Sequence, residues 1–301
     1  MTGEVARDVA GGVIARVMLE SPLPQLDRLF DYLVPPALLA DAKPGVRVKV
    51  PLRSAGRTAR GYIIELAPHE PGERTLSELD EVVSPLPVLT PEVWALARRL
   101  ADRAAGSACD IVRLAVPPRF VRVEKAFVAT EAQREDSAES ARASRTAPEA
   151  AGPPVFALTG YSESDGRHLA EPGARSAVDA VATVTRLGEH TVGHWALTAA
   201  ELAAQVHRGG ESVIVAVPDH RDQTMVEQAL EHLGVGEAVV RLDARQARNE
   251  RYAHFLTALD GRPHIVVGNR SSVYAPVSTL GQIIVWDEGD ALQSEPLAPY
   301  V

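Results

Sequence analysis

The sequence has little sulfur, with one cysteine, Cys109, among 301 residues. A single thiol excludes an intrachain disulfide framework and a multi-cysteine zinc site, and it fits a reducing compartment. The first twelve residues lack the basic and apolar blocks of a signal peptide, and apolar runs such as residues 283–286 are too short to span a bilayer. We therefore expect a cytoplasmic protein with no membrane partner and no bound metal.

Lysine is also scarce, and Lys43, Lys49 and Lys125 are the only ones in the chain. A phosphate-binding loop needs a lysine to neutralise the β- and γ-phosphates, so none can lie beyond residue 125. Residues 188–198, which precede a predicted helix and an apolar strand, contain no Gly-Lys-Ser/Thr. Arg186 is a poor substitute, because its guanidinium is a bulky fork rather than a point charge.

The formal net charge is −9, but the charge is unevenly distributed. Residues 1–128 carry 17 Lys+Arg against 16 Asp+Glu, whereas the remainder carries 14 against 24. The chain as a whole does not have the charge of a protein coated in nucleic acid. The front part is the candidate for facing DNA.

Residues 42–64 contain no acid and six cations. Valine alternates with a cation over residues 46–50, which predicts a strand that buries one face and shows a basic face to water. Gly56 marks a turn and residues 61–66 a returning strand, so the cations share one hairpin. The cations of such a hairpin can bind the phosphate backbone of a nucleic acid. The alternative is that they only face solvent. The six cations are Lys43, Arg47, Lys49, Arg53, Arg57 and Arg60.

Three segments, residues 26–35, 44–52 and 60–64, resemble the amino-terminal domain of the PriA replication-restart family. The resemblance implies a domain that holds the 3′ end of a nascent strand at a stalled fork, with Phe30, Asp31 and Tyr32 in the terminal-nucleotide pocket. An aromatic ring can stack on any base, and a carboxylate can accept a hydrogen bond from a sugar hydroxyl. The alternative for Phe30 and Tyr32 is core packing. The predicted DNA contacts are Phe30, Asp31, Tyr32, Arg47, Lys49, Arg53, Arg60 and Arg270.

Two positions depart from the family pattern. Arg53 stands where the family can have a glycine, and Asp80 stands where it can have a lysine. A carboxylate at the second position would repel a nearby phosphate. These two residues leave the working of the 3′-end pocket open.

The predicted fold class is α/β, with three parts. Residues 13–128 form a small β-rich 3′-DNA-binding domain, and residues 129–153, which lack core-forming side chains, form a disordered linker. In residues 154–301 strands alternate with helices, which predicts a parallel sheet covered on both faces. This last part resembles the family's RecA-like first helicase lobe in residues 213–219, 266–276 and 283–290.

In that family an acidic pair at the position of Asp287 and Glu288 holds Mg²⁺. Without a phosphate cradle, we interpret these acids as vestigial and expect no catalytic residue. ATP and Mg²⁺ are cofactors only if the degenerate lobe still binds nucleotide, and none is expected. Because the chain ends soon after the acidic motif, we expect a fragment that lacks the second helicase lobe.

The resulting prediction is a replication-restart protein that recognises stalled forks and helps to assemble the primosome without ATPase or helicase activity. The resemblance implies single-strand-binding protein and components of the primosome or replicative helicase as partners. Two alternatives stay open: an ATP-dependent 3′→5′ DNA helicase, and a protein-interaction role for the acidic lobe.

Overall fold

The computed structural model describes residues 12–52, 56–69, 76–142, 157–169, 171 and 173–294, without the side chains of residues 135–142. The chain divides into two compact units between Val116 and Pro117. The first unit therefore ends before residue 128, where the composition placed the boundary. Among the described residues no helix is both long and apolar enough to cross a membrane.

The first unit is built on a five-stranded antiparallel sheet in the order β2-β1-β4-β3-β5. Its period-2 patterns place alternate side chains on opposite faces, as predicted for the hairpin. The strands are β1 (Val13–Leu19), β2 (Leu29–Val34), β3 (Arg47–Leu52), β4 (Arg57–Pro68) and β5 (Glu81–Val82).

Residues 77–82 close this sheet on itself. At one end of the segment Glu81 and Val82 pair with β3. At the other end the Leu33 amide donates to the Ser77 carbonyl at 2.9 Å, and the Leu79 amide donates to the Leu33 carbonyl at 3.0 Å. The two outer strands are thus joined through one segment, and the result is a small barrel. Its apolar interior includes Ala15, Val17, Leu19, Tyr32, Val34, Val48, Val50, Leu52, Ile63 and Leu79.

Two helices follow the barrel, α1 (Pro91–Ala104) and α2 (Ala108–Ala115). Thr90 caps the start of α1, because its hydroxyl accepts a hydrogen bond from the Val93 amide at 3.3 Å and Pro91 occupies the first helical position. The residue that ends α1 is Ala105, which adopts a left-handed backbone at φ 52°, one position before Gly106.

Asp27, just before β2, ties the barrel to both helices. Its carboxylate accepts from the Arg98 guanidinium of α1 at 2.7 Å and from the Ala108 amide of α2 at 3.1 Å. The Asp27 side chain is 12% exposed, so these bonds replace most of its contact with water. Asp27 therefore fixes the start of β2, the strand that carries Phe30.

In the second unit, α3 (Val121–Arg142) runs through the first part of the predicted disordered linker. The prediction is wrong for residues 129–142, and residues 143–153 lie outside the described part. The helix is held at its start by Glu124, a buried carboxylate that accepts from Arg119 at 2.7 Å and from the Tyr252 hydroxyl at 2.5 Å. This long-range contact explains why local composition misjudged the segment.

The predicted α/β lobe is confirmed. Its four-stranded parallel sheet has the order β11-β8-β10-β9. The four strands are β8 (Ser212–Ala216), β9 (Val239–Leu242), β10 (Ile265–Gly268) and β11 (Leu280–Val285). A separate hairpin is formed by β6 (Val184–Leu187) and β7 (His190–Gly193). The helices are α4 (Glu163–Leu169), α5 (His194–Arg208), α6 (His220–His232) and α7 (Arg248–Ala258).

Replacing Asp27 should destabilise the first unit without disturbing its surface. We expect Asp27→Ala to lower the free energy of unfolding by about 2 kcal/mol, since it removes the partly buried acceptor of both the Arg98 guanidinium and the Ala108 amide. Asp102→Ala is the matched control, because Asp102 pairs with the same Arg98 but is 66% exposed. Its loss should stay within about 0.5 kcal/mol. Urea unfolding measures both, and equal losses would contradict the assigned role of Asp27.

Candidate nucleic-acid interface

The triplet Phe30-Asp31-Tyr32 lies on β2, whose alternation separates its members. Phe30 and Tyr32 both pack toward the barrel interior. Asp31 lies on the opposite, outer face, where it is exposed. The structure therefore brings Phe30 and Tyr32 together and places the carboxylate on the other side of the same strand.

Tyr32 packs in the barrel core, and only 5% of its surface is exposed. Its hydroxyl donates to the Pro51 carbonyl at 3.3 Å, which links β2 to β3. Burial raises the pKa of Tyr32, and the negative charge of Asp80 raises it further. Of the two predicted aromatic contacts, Tyr32 is the one that fits core packing.

Phe30 is partly buried and packs at the edge of the same core. The Arg28 guanidinium carbon lies 4.2 Å from the centre of its ring. Arg28 itself is exposed. The sequence analysis missed Arg28, although its position two residues before Phe30 is a usable signal, because side chains two apart in an extended segment share a face.

Asp31 takes part in an ion cluster on the outer face. Arg16 on β1 lies between Asp31 and Glu65, directly opposite each of them in the strand register. The Arg16 Nε lies 3.7 Å from Asp31 Oδ1, and Nη1 donates to Glu65. All three side chains are about half exposed, so water screens the cluster and leaves Asp31 open to a ligand.

The predicted basic face of the hairpin is only partly exposed. Arg47 was placed in water, but it is 9% exposed and its Nε donates to the Tyr62 hydroxyl at 3.3 Å. Burial raises the pKa of Tyr62, so this hydroxyl stays protonated. The expectation that Arg47 is exposed to solvent is wrong, because this face of the sheet is also buried. The 2% exposure of Tyr62, opposite Arg47, shows this burial.

The other hairpin cations differ in their partners. Lys49 Nζ pairs with Glu81 at 2.6 Å, and both side chains remain partly exposed. Arg60, opposite Lys49 in the register, is exposed, as is Arg57. Neither arginine forms an ion pair with another residue of the described chain. Arg53 lies outside the described residues.

Asp80 stands beside these groups. Its carboxylate accepts from the Thr58 hydroxyl at 3.5 Å, and its amide donates to the Lys49 carbonyl at 3.0 Å. It is exposed, and its charge acts on Tyr32. The barrel edge near the candidate site thus carries a negative charge at the position where the family can have a lysine.

In the second unit, the acids Asp287 and Glu288 follow β11 and are exposed. Asp287 adopts a left-handed backbone, at φ 47°. Across the same sheet edge, burial raises the pKa of Asp222, and the charges of Asp219, Asp287 and Asp290 raise it further. Asp219 is occupied as the N-cap of α6, accepting from the Arg221 amide at 2.7 Å. No group of three His, Cys, Asp or Glu side chains in the described chain is arranged to hold a metal ion.

Two indoles lie at the point where α5 begins and β11 ends. Trp195, in the first turn of α5, stacks on Trp286 with ring centres 4.2 Å apart and planes at 4°. Small apolar residues, Ala180, Val181, Ala182 and Val184, line the open pocket of about 510 Å³ beside them. Arg270, the remaining predicted contact, donates to the Leu292 carbonyl at 3.1 Å.

The two aromatic residues of β2 should separate packing from binding. We expect Tyr32→Ala to lower the free energy of unfolding by about 4 kcal/mol, and Phe30→Ala by roughly 2 kcal/mol, because Phe30 is only partly buried. Phe30→Ala should also weaken single-stranded DNA binding about tenfold. Tyr32→Phe is the control that keeps the ring, and it should bind DNA like the native chain. Weaker DNA binding by Tyr32→Phe than by Phe30→Ala would reverse the assignment.

The chain is similar to known proteins over most of its length. Residues 16–117 match the family model of the PriA 3′DNA-binding domain (3′BD). Over 282 residues, 92% of its length, the chain is 39% identical to a probable replication restart protein PriA from Mycobacterium tuberculosis (strain CDC 1551 / Oshkosh). A relative with the same name from Mycobacterium leprae (strain TN) is 37% identical over 278 residues. The chain spans 39% and 40% of the lengths of these relatives.

Proposed function

Because residues 16–117 match the family model of the PriA 3′DNA-binding domain and the chain is similar to replication restart proteins, we propose that it recognises the 3′ end of DNA at stalled forks without ATPase or helicase activity. The DNA-binding part of this proposal rests on the functional groups that lie on and around β2. There the Phe30 ring, the exposed Asp31 carboxylate and the cations Arg28 and Arg60 lie in one small barrel.

The proposed roles follow from the chemistry of each group. Phe30 and Arg28 supply a surface for a base whatever its identity. Asp31 accepts a hydrogen bond from the free 3′ hydroxyl, since it is exposed and only loosely paired with Arg16. Lys49, Arg53, Arg57 and Arg60 are the proposed phosphate contacts, whereas the burial of Arg47 argues for a structural role.

Binding should depend on the free 3′ hydroxyl. We expect the native chain to bind a model fork with a free 3′ end at least tenfold more tightly than the same fork with a 3′ phosphate, because the phosphate places a like charge beside Asp31. Asp31→Asn should reduce this preference. Fluorescence-anisotropy titration at a fixed, stated salt concentration measures it.

Glu65→Gln is the matched control for Asp31. Glu65 pairs with the same Arg16 and is about as exposed, so its loss changes the outer ion cluster without touching β2. The preference for the free end should survive Glu65→Gln. A native chain that binds both forks equally would refute recognition of the 3′ end, and equal binding of forked and unrelated DNA would refute recognition of forks.

The proposal that the chain lacks ATPase activity rests on the second unit, at the place where a phosphate-binding loop would lie. In a phosphate-binding-loop protein the phosphates lie at the N-terminus of the helix that follows the loop. Here that helix, α5, begins at His194, and Trp195 in its first turn stacks on Trp286, the residue just before the acids Asp287 and Glu288. No lysine is present in this unit beyond Lys125 of α3. These features support a lobe that does not hold a nucleotide for hydrolysis.

We therefore expect no DNA-stimulated release of phosphate from ATP. The double change Asp287→Ala and Glu288→Ala should leave both this background and DNA affinity unchanged. A phosphate-release assay with forked DNA, and the same titrations with and without ATP, provide the measurement. Phosphate release that disappears in the double variant would favour the rival function, an ATP-dependent 3′→5′ helicase.

We also propose that the chain acts in primosome assembly, as the resemblance to the PriA family implies; the names of its relatives give replication restart for those proteins. Single-strand-binding protein and components of the primosome or replicative helicase stay predictions from the resemblance. Pull-down of such partners by the intact chain, and its loss when residues 154–301 are deleted, would favour an interaction role for the acidic lobe. Capture that survives the deletion would exclude that role.

A further inference from the structure

The side chain of Arg28 lies over the ring of Phe30 at the barrel edge. Its guanidinium carbon lies 4.2 Å above the ring centre, while Phe30 also packs against the barrel core. The ring is therefore held between the core and a cation. The surface that this pair offers to solvent is the outer face of the guanidinium.

The charge of Arg28 is not used by its acidic neighbours. Asp27 is bound by Arg98 and the start of α2, and the charged neighbour of the exposed Asp31 is Arg16 rather than Arg28. Within the described residues, Arg28 has the Phe30 ring as its contact and forms no ion pair. An exposed arginine held on an aromatic ring in this way keeps its planar face and its N–H edges available for a ligand.

A guanidinium plane is a stacking surface for nucleobases, as aromatic rings are. Because the Phe30 ring already holds the Arg28 head group, less side-chain freedom remains to be lost when a base stacks on it. Resting on the proposed function, we propose that the terminal base stacks on Arg28, with Phe30 as the support beneath it. Arg28 is then the residue that contacts the base, and Phe30 is the residue that positions Arg28.

The test compares two forks that share every phosphate and the free 3′ hydroxyl. One has an intact 3′-terminal nucleotide, and the other has an abasic terminal sugar. Arg28→Ala should weaken binding of the intact fork about tenfold and leave binding of the abasic fork nearly unchanged. Arg28→Lys should resemble Arg28→Ala, because an ammonium group has no plane on which a base can stack.

Arg99→Ala is the matched control, since Arg99 is an exposed arginine on α1 and lies away from β2 in the sequence. It should bind both forks like the native chain. Circular dichroism melting of each variant checks that the barrel is folded.

Two outcomes would overturn the proposal. An equal loss on the intact and abasic forks, with a weaker salt dependence and with rescue by Arg28→Lys, would mean that Arg28 contacts a phosphate. An Arg28→Ala variant indistinguishable from Arg99→Ala would mean that Arg28 makes no contact with DNA. The 3′-end proposal fails separately, if the native chain does not distinguish a free from a phosphorylated 3′ end.

Discussion

The closure of the front sheet at Leu33 is the constraint on which the candidate interface depends. Leu33 on β2 exchanges backbone hydrogen bonds with the segment at residues 77–79, and the same segment continues into β5 beside β3. This closure fixes which face of β2 is inside. As a result, Tyr32 is buried in the core, Phe30 lies at the edge of the core and Asp31 faces outward. A one-residue shift in the β1–β2 register would exchange these roles.

The sequence predicted the elements of this barrel well, because a strand pattern is local. The alternation predicted over residues 46–50 is found in β3. Side-chain environments were harder to predict. Arg47 was assigned to water because alternation tells which residues share a face, but it does not tell whether that face is covered. The cover comes from groups distant in sequence, of which Tyr62 is one.

The same limit explains the helix in the predicted linker. Residues 129–142 have too few apolar side chains to justify order by themselves. Their helix begins earlier, where Glu124 is bound by Arg119 and Tyr252, the latter 128 positions away. One buried and fully paired carboxylate is enough to anchor the start of α3, and helix formation propagates more easily than it nucleates. No pattern within the linker itself carries this information.

The two units differ in how their chemistry has been arranged. In the barrel, the carboxylate of Asp31 is exposed and its partner Arg16 is shared with Glu65, so a ligand hydroxyl can reach the Asp31 carboxylate.

In the lobe, Asp219 caps a helix, Asp222 is partly buried among other acids, and two indoles stack next to Asp287 in the sequence. A charged phosphate chain at this edge would meet several carboxylates and no lysine, so electrostatics alone disfavour it. The barrel edge, where Arg28 lies over Phe30, offers a polyanion a different environment: an exposed cation that forms no ion pair within the described part of the chain and that packs on an aromatic ring. The difference in local charge and access, rather than the net charge of −9, favours the front unit as the proposed nucleic-acid interface.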